Sequence, residues 1–119
     1  MSQMVRFTVE LTIHEGKFEE FQQLAQAMTT GTKNESGTLG YEWFLSKDRK
    51  RCRLLEAYAD ADAVNTHING QVVQQFVPKL LELAKLDRFE VYGEPSAKAT
   101  EILTKVGAEI FPQWMGLGR

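Results

Sequence analysis

The hydrophobic period of the first thirty residues constrains the fold more than any other feature of this sequence. From Val5 to Ile13 apolar residues occupy the odd positions and mostly polar residues the even ones, a period typical of a strand with one buried face. After Gly16 the apolar residues recur every three or four positions, as along one face of a helix: Phe18, Phe21, Leu24, Ala25 and Met28. Each element therefore has an apolar face that must be buried against the other.

Similar patterns predict the remaining elements. Two extended runs, 39–46 and 52–59, are joined by the short polar stretch 48–51, which predicts an antiparallel hairpin. Asp60 can cap a helix that ends at Asn69-Gly70, and a second helical run continues to Ala84 with Pro78 inside it. A fourth strand is predicted over 87–93. The order β-α-β-β-α-β predicts an α+β, ferredoxin-like fold whose antiparallel sheet carries its helices on one face.

Length and composition exclude several classes of protein. The 119 residues fit a single domain, predicted over 1–119, and the formal net charge of −2 gives no basic excess that would attract nucleic acid. The first thirteen residues alternate in polarity, so they predict neither a signal peptide nor a membrane span, and a cytoplasmic location is expected. Cys52 is the only cysteine, which excludes an intrachain disulfide or a thiolate metal cluster within one chain.

The sheet face away from the helices is predicted to pack against a second copy of the chain. Its expected side chains are both charged and apolar: Arg6, Glu10, Glu42, Glu56, Glu90, Phe44, Leu54 and Tyr92. A helix is predicted over 96–106, and the tail after it carries Ile110, Phe111, Trp114, Met115 and Leu117. So many apolar residues are not expected to stay in water. A homodimer is predicted, with the tail lying over the partner copy or over the helices.

The element order and several short motifs resemble the antibiotic biosynthesis monooxygenase-like family of dimeric α+β barrels. The motifs are GYEWFLSKD before a basic turn, RLLEAYADADAVNTH, and the closing FEVYGEPS. The resemblance covers residues 4–93 and leaves 94–119 as a C-terminal extension. It implies one of several activities, among them cofactor-independent oxygenation of quinols or polycyclic phenols and haem degradation.

The haem-degrading branch of that family is not expected here. The resemblance implies an asparagine on strand one, a tryptophan on the second helix and an iron-binding histidine ten residues further on. Those positions carry Val9, His67 and Val77 in this chain, and valine cannot bind iron. The two histidines, His14 and His67, lie too far apart in sequence for metal-ligand spacing. No cofactor and no metal are therefore predicted.

His67 is the candidate catalytic residue. It lies beside Val64 and Ile68 of the apolar helical stripe, at the predicted boundary between core and solvent. It can be a structural histidine that donates to a backbone carbonyl, or a neutral base that removes a phenolic proton at the mouth of a pocket. The second interpretation agrees with the oxygenase chemistry that the resemblance implies, in which the phenolate passes an electron to O2 without flavin or metal.

Aromatic residues are the candidates for binding a small planar aromatic or quinol-like ligand. Tyr41 and Trp43 lie two apart on strand two and hence on one face, where they can stack on a planar ring or simply fill the core. Phe7 and Phe76 are predicted to form further wall. Glu56 and Tyr58 alternate with Leu55 and Ala57, and they are predicted to face the partner copy, with Arg6 a possible mate for a buried Glu56. The alternative function is a non-catalytic binding or regulatory protein.

Overall fold

Strands and helices follow one another in the predicted order up to the C-terminal helix, with two helices between the third and fourth strands. A short fifth strand after that helix was not predicted. A computed structural model describes residues 3–118; the first two residues and Arg119, which the single-domain prediction includes, lie outside it. The strands are β1 (Val5–Ile13), β2 (Thr38–Leu45), β3 (Arg51–Tyr58), β4 (Ala84–Tyr92) and β5 (Glu109–Phe111). The helices are α1 (Phe18–Thr32), α2 (Ala61–Ile68), α3 (Gln71–Leu83) and α4 (Ala97–Lys105).

The strands form one sheet in the order β2-β3-β1-β4-β5. The first four pair antiparallel, which is the ferredoxin-like arrangement predicted from the sequence. β5 adds to the edge of the sheet, parallel to β4, and pairs Val91 with Ile110. Residues 109–111 of the C-terminal extension are thus part of the sheet.

Helices cover one face of the sheet. The alternation in β1 buries Val5, Phe7, Val9, Leu11 and Ile13 on this face, as its period of two predicts. Residues of α1 and α3 pack around Val9 and Leu11, whereas residues of α2 and α4 pack around Val5 and Phe7. The two halves of the core therefore lie under different pairs of helices.

Local signals in the sequence explain where the helices begin. Asp60 caps α2, since its Oδ1 accepts from the backbone N–H of Ala63 at 2.9 Å, as predicted. Ser96 caps α4 in the same way through the N–H of Ala99. α3 runs through Pro78 and ends at Leu83, and β4 begins at the next residue. The fourth strand therefore starts three residues before the predicted 87–93, and Ala84 belongs to it rather than to the helix.

The prediction that Leu54 and Glu56 lie on the face away from the helices is wrong. Both are buried on the helix-covered face, because β3 pairs Leu54 with Val9 and Glu56 with Phe7. The other expected residues of the open face lie there, and three large apolar side chains on it are half exposed: Phe44, Leu55 and Tyr92. Among residues 3–118, no helix has both the length and the hydrophobicity that crossing a membrane requires.

Candidate functional site

His67 lies in the last turn of α2 and is buried, with only 4% of its surface exposed. Its Nδ1 is 2.7 Å from Oε1 of Glu35, and its Nε2 is 3.4 Å from Oε1 of Glu56. The ring therefore lies inside the protein between two carboxylates and not at the predicted boundary with solvent. A buried imidazole held in this way has a fixed orientation, and its two nitrogens have different neighbours.

Glu56 is buried and faces His67, not a partner copy as predicted. The register places it opposite Phe7 on β1 and Tyr41 on β2, both of which point towards the helices. Its mates are His67 and Tyr58, whose hydroxyl donates to Oε1 of Glu56, whereas Arg6 is exposed on the other face. Burial raises the pKa of the Glu56 carboxyl, and the neighbouring His67 opposes that rise.

The same burial affects Tyr58, whose predicted position towards the partner copy is also wrong. Its ring is completely buried, with its centroid 5.1 Å from that of His67 and 4.9 Å from that of Phe7. Burial raises the pKa of the Tyr58 hydroxyl well above 10, and the carboxylate of Glu56 adds to the effect. Tyr58 therefore stays a hydrogen-bond donor that holds Glu56 in place.

A cavity of about 180 Å³ lies beside His67 and Glu56, between the sheet and the helices α3 and α4. Its polar lining side chains are Tyr41, Glu56 and His67, and its other lining residues are apolar, among them Phe7, Val77, Leu86 and Phe89. Leu81 and Val106, at the ends of α3 and α4, are lining residues that are also exposed, and they mark the mouth. The site is thus an apolar chamber with a small polar end.

Tyr41 and Phe7, two of the four predicted ligand-binding aromatics, lie on the wall of this cavity. The ring of Tyr41 is 5.9 Å from that of His67, centroid to centroid. Burial raises the pKa of the Tyr41 hydroxyl, and the charges of Glu56 and Glu35 act in the same direction. Tyr41 is therefore suited to donate a hydrogen bond and unsuited to ionise near neutral pH.

Trp43 and Phe76, the other two, lie elsewhere. Nε1 of Trp43 donates to Oγ1 of Thr29 at 2.8 Å, and its ring packs edge-on against Phe21, so it joins β2 to α1. It reaches the cavity only through its contact with the ring of Tyr41. Phe76 lines a different space, an outer groove between α1 and α3. The structure thus brings together His67, Tyr41 and Phe7.

Glu35 and Glu56 are site residues that the sequence reasoning did not identify. Glu56 could have been found from β3 alone, because Cys52, Leu54 and Tyr58 share its parity and form the apolar side of that strand. Glu35 follows α1 in a short turn and carries no periodic signal. Its approach to His67, thirty-two residues away, is a product of the fold.

The arrangement can perform acid–base chemistry. A carboxylate only accepts hydrogen bonds, so we assign the proton of the 2.7 Å contact to Nδ1 of His67, which donates to Glu35. The 3.4 Å between Nε2 and Oε1 of Glu56 is longer than a normal hydrogen bond, so Nε2 keeps its lone pair on the side of the cavity, where a neutral imidazole can take up a proton. Within residues 3–118, no three acidic, cysteine or histidine side chains are grouped so as to hold a metal ion.

The sequence matches a family model over more than half of its length. The model described as antibiotic biosynthesis monooxygenase matches residues 4–79. This range includes Glu35, Glu56 and His67, whereas β4, α4 and β5 lie beyond it. A search of curated proteins gives no significant match.

Several solved structures share the fold. MupZ from Pseudomonas fluorescens matches with a TM-score of 0.81 and 18% identity, over 99% of this chain and 96% of its own. SnoaB from Streptomyces nogalater, described as a cofactor-independent oxygenase, matches with a TM-score of 0.68 and 13% identity, over 81% and 97%. Rv0793 from Mycobacterium tuberculosis matches with a TM-score of 0.67 and 22% identity, over 78% and 96%. The match to MupZ extends through α4 and β5.

Proposed function

Because the chain belongs to the antibiotic biosynthesis monooxygenase family, we propose that it oxygenates a quinol or polycyclic phenol with O2 and without a bound cofactor. The observation that carries this proposal is the position of His67, whose imidazole lies between two carboxylates at the polar end of an apolar cavity. A base in that position can remove a phenolic proton from a ring held by Phe7 and Tyr41.

After the substrate proton has been removed, the reaction with O2 requires no further reacting group of the protein. Loss of the proton gives an electron-rich anion, which transfers one electron to O2, and the resulting radical pair combines to a peroxide anion. That anion takes back a proton from His67 to become a hydroperoxide. Loss of water from that hydroperoxide leaves a carbonyl, so one oxygen atom enters the product and the other leaves as water. The apolar walls keep bulk water away from these intermediates.

The size of the cavity favours a small substrate. Pockets for drug-sized ligands measure about 300–1,000 Å³, whereas this cavity has about 180 Å³. A single-ring quinol therefore suits it better than a polycyclic phenol, which would require Leu81 and Val106 to move apart at the mouth.

Oxygen uptake tests the proposal. The protein is mixed with a panel of hydroquinones and anthrone-like phenols in an oxygen electrode, and the products are identified by mass spectrometry after reaction under ¹⁸O2. We expect one ¹⁸O atom per product molecule and no requirement for added metal or flavin. Absence of enzyme-dependent uptake across the panel would argue against the oxygenase.

A change at His67 links that activity to the site. In His67→Gln the amide can still donate to Glu35 but cannot accept a proton as a base, so we expect kcat to fall by about 10²–10⁴-fold. The matched control is His14→Gln, because His14 is exposed at the end of β1. Turnover that persists in His67→Gln removes the imidazole from the mechanism.

The alternative is a protein that binds a small molecule without changing it. The observation in its favour is that both nitrogens of His67 already face carboxylates, as in a purely structural polar cluster. Ligand binding by calorimetry without oxygen uptake would support this alternative.

We also propose that the protein acts as a homodimer in the cytoplasm, with the open sheet faces of two copies in contact. The half-exposed Phe44, Leu55 and Tyr92 on that face support the contact, and dimers are typical of the family. Cell fractionation tests the location.

A further inference from the structure

We propose that Glu35 is the outer end of a proton relay, formed by His67 and Glu35, which connects the cavity to solvent on the far side of α2; Glu56 lies beside the inner end of this relay, 3.4 Å from Nε2 of His67. The relay rests on the proposed function in one respect only, since the proton that it carries is the one removed from the substrate. The geometry of the relay is independent of which substrate is bound.

The outer end opens into a groove of about 760 Å³ between α1 and α3. Glu35 lines this groove, and most of the other lining residues are polar: Gln23, Gln26, Thr30, Asn34, Thr66, Gln71 and Gln75. Gly70 lines it as well, and a Cβ at that position would lie 3.2 Å from Oε2 of Glu35 and 2.9 Å from the carbonyl oxygen of Thr66. The absence of a side chain at Gly70 therefore leaves the carboxylate accessible from the groove.

The groove and the cavity share no lining residue, and His67 connects them. Glu35 lines only the groove, and Glu56 and His67 line only the cavity. Of the three side chains Glu35 is the most exposed, at 11%, whereas His67 and Glu56 are exposed to 5% and 6%. The 2.7 Å contact of Nδ1 joins His67 to Glu35 on the groove side, and the 3.4 Å contact of Nε2 places the ring beside Glu56 on the cavity side.

The mouth of the cavity offers no comparable path for a proton. The mouth lies at the C-terminal end of α3, whereas the groove meets the first half of that helix. With 13 residues, α3 is about 20 Å long. Leu81 and Val106 at the mouth are apolar, as are all other lining residues except Tyr41, Glu56 and His67. Substrate therefore enters through the apolar mouth and protons leave through the polar groove. Because protons do not need the mouth, the cavity that binds the substrate can exclude water.

The transfer balances without any further reactant. Nε2 of His67 takes up the substrate proton on the side of Glu56, Nδ1 passes its own proton to Glu35, and Glu35 releases a proton to water in the groove. The reverse transfers return a proton when the peroxide anion becomes the hydroperoxide. Glu35 acts through His67 and does not touch the substrate, so it is a positioning and relay residue.

Two substitutions separate a relay from a structural contact. Glu35→Gln keeps an oxygen that can accept from Nδ1 of His67, but it cannot take up the proton, so we expect kcat to fall at least tenfold while KM stays within twofold. Glu35→Ala should lose at least as much, and acetate diffusing into the vacated groove should restore activity at least tenfold. The matched control is Gln75→Ala in the same groove, which should keep full activity and not respond to acetate.

A second readout does not depend on turnover. The chain has two histidines, so ¹⁵N-histidine spectra, assigned with His14→Gln, can report the tautomer of His67. We expect the proton on Nδ1 in the unaltered protein and a mixture of tautomers in Glu35→Ala. Full activity in Glu35→Gln, or a proton found on Nε2, would overturn the relay. Absence of turnover in the unaltered protein together with the Nδ1 tautomer would contradict the oxygenase and leave the relay geometry supported.

Discussion

At the scale of single residues, the site depends on placing a carboxylate where charge is costly. Glu56 is 7% exposed and has a hydroxyl and an imidazole as partners. Such a group is kept only with well-placed partners, because a buried charge without them costs several kcal/mol. Because this cost applies only to the charged carboxylate, Glu56 should affect how the stability of the protein depends on pH.

We expect Glu56 to reduce stability as the pH rises. Its pKa in the folded protein is above the ordinary value of 4.5. At pH values between 4.5 and this raised pKa, the folded state binds more protons than the unfolded state. The free energy of unfolding therefore falls as the pH rises, by at most about 1.4 kcal/mol per pH unit. Glu56→Gln has no carboxyl group at this position, so its free energy of unfolding does not fall with pH for this reason.

Urea denaturation from pH 4.5 to 8 measures the effect. The free energy of unfolding of Glu56→Gln minus that of the unaltered protein should grow as the pH rises above about 4.5. Two curves that stay parallel over this range would contradict the raised pKa. The exposed change Glu82→Gln serves as the control.

At the scale of elements, α4 completes the core although it lies outside the residues that the family model matches. Ala99 and Leu103 are buried with Val5, Val64 and Val91. Leu103 and Val106 also line the cavity. The extension therefore contributes both to stability and to the shape of the chamber.

Shortening Leu103 should destabilise the fold strongly. Leu103→Ala removes a 4% exposed side chain from a packed cluster, and we expect a loss of about 2–5 kcal/mol in the free energy of unfolding. The control is Val106→Ala at the end of the same helix, where the side chain is 54% exposed and the expected change is within about 0.5 kcal/mol. Similar midpoints for both variants in chemical denaturation would show that α4 is not packed as described.

At the scale of the whole molecule, the sheet has one face under the helices and one open face. The open face mixes charges such as Arg6 and Glu90 with half-exposed Phe44 and Leu55. Beyond β5 the tail leaves Trp114, Met115 and Leu117 exposed, at 83%, 66% and 78%. The prediction that the tail lies over the partner copy or over the helices therefore stays a prediction.

A charge on the open face should separate the proposed dimer. Leu55→Lys places an ammonium at the middle of that face, next to Glu42 on β2, so the cost within one chain is small. We expect light scattering at micromolar concentration to give a dimer for the unaltered protein and a monomer for this variant. The control is Gln22→Lys on the exposed side of α1, and a monomeric unaltered protein would refute the dimer.

Most of the fold could be predicted from the sequence because hydrophobic period and capping are local. The alternation in β1, the helical spacing in α1 and the cap at Asp60 each specify their element without help from distant residues. The structure brings three of the predicted site residues, His67, Tyr41 and Phe7, to one cavity, and their role in a site stays a prediction. The prediction for the face of Glu56 is wrong, although Cys52, Leu54 and Tyr58 share its parity on β3 and carry the signal for the buried face.

Only the tertiary structure decided the environment of the candidate base. Glu35 comes from the turn after α1, Glu56 from β3 and His67 from α2, and the strand register and helix packing bring them together. The sequence by itself determined that a histidine would lie near the apolar side of a helix. The fold determined that this histidine lies between two carboxylates. The sequence could not predict this, because contacts between residues far apart in the chain leave no periodic pattern.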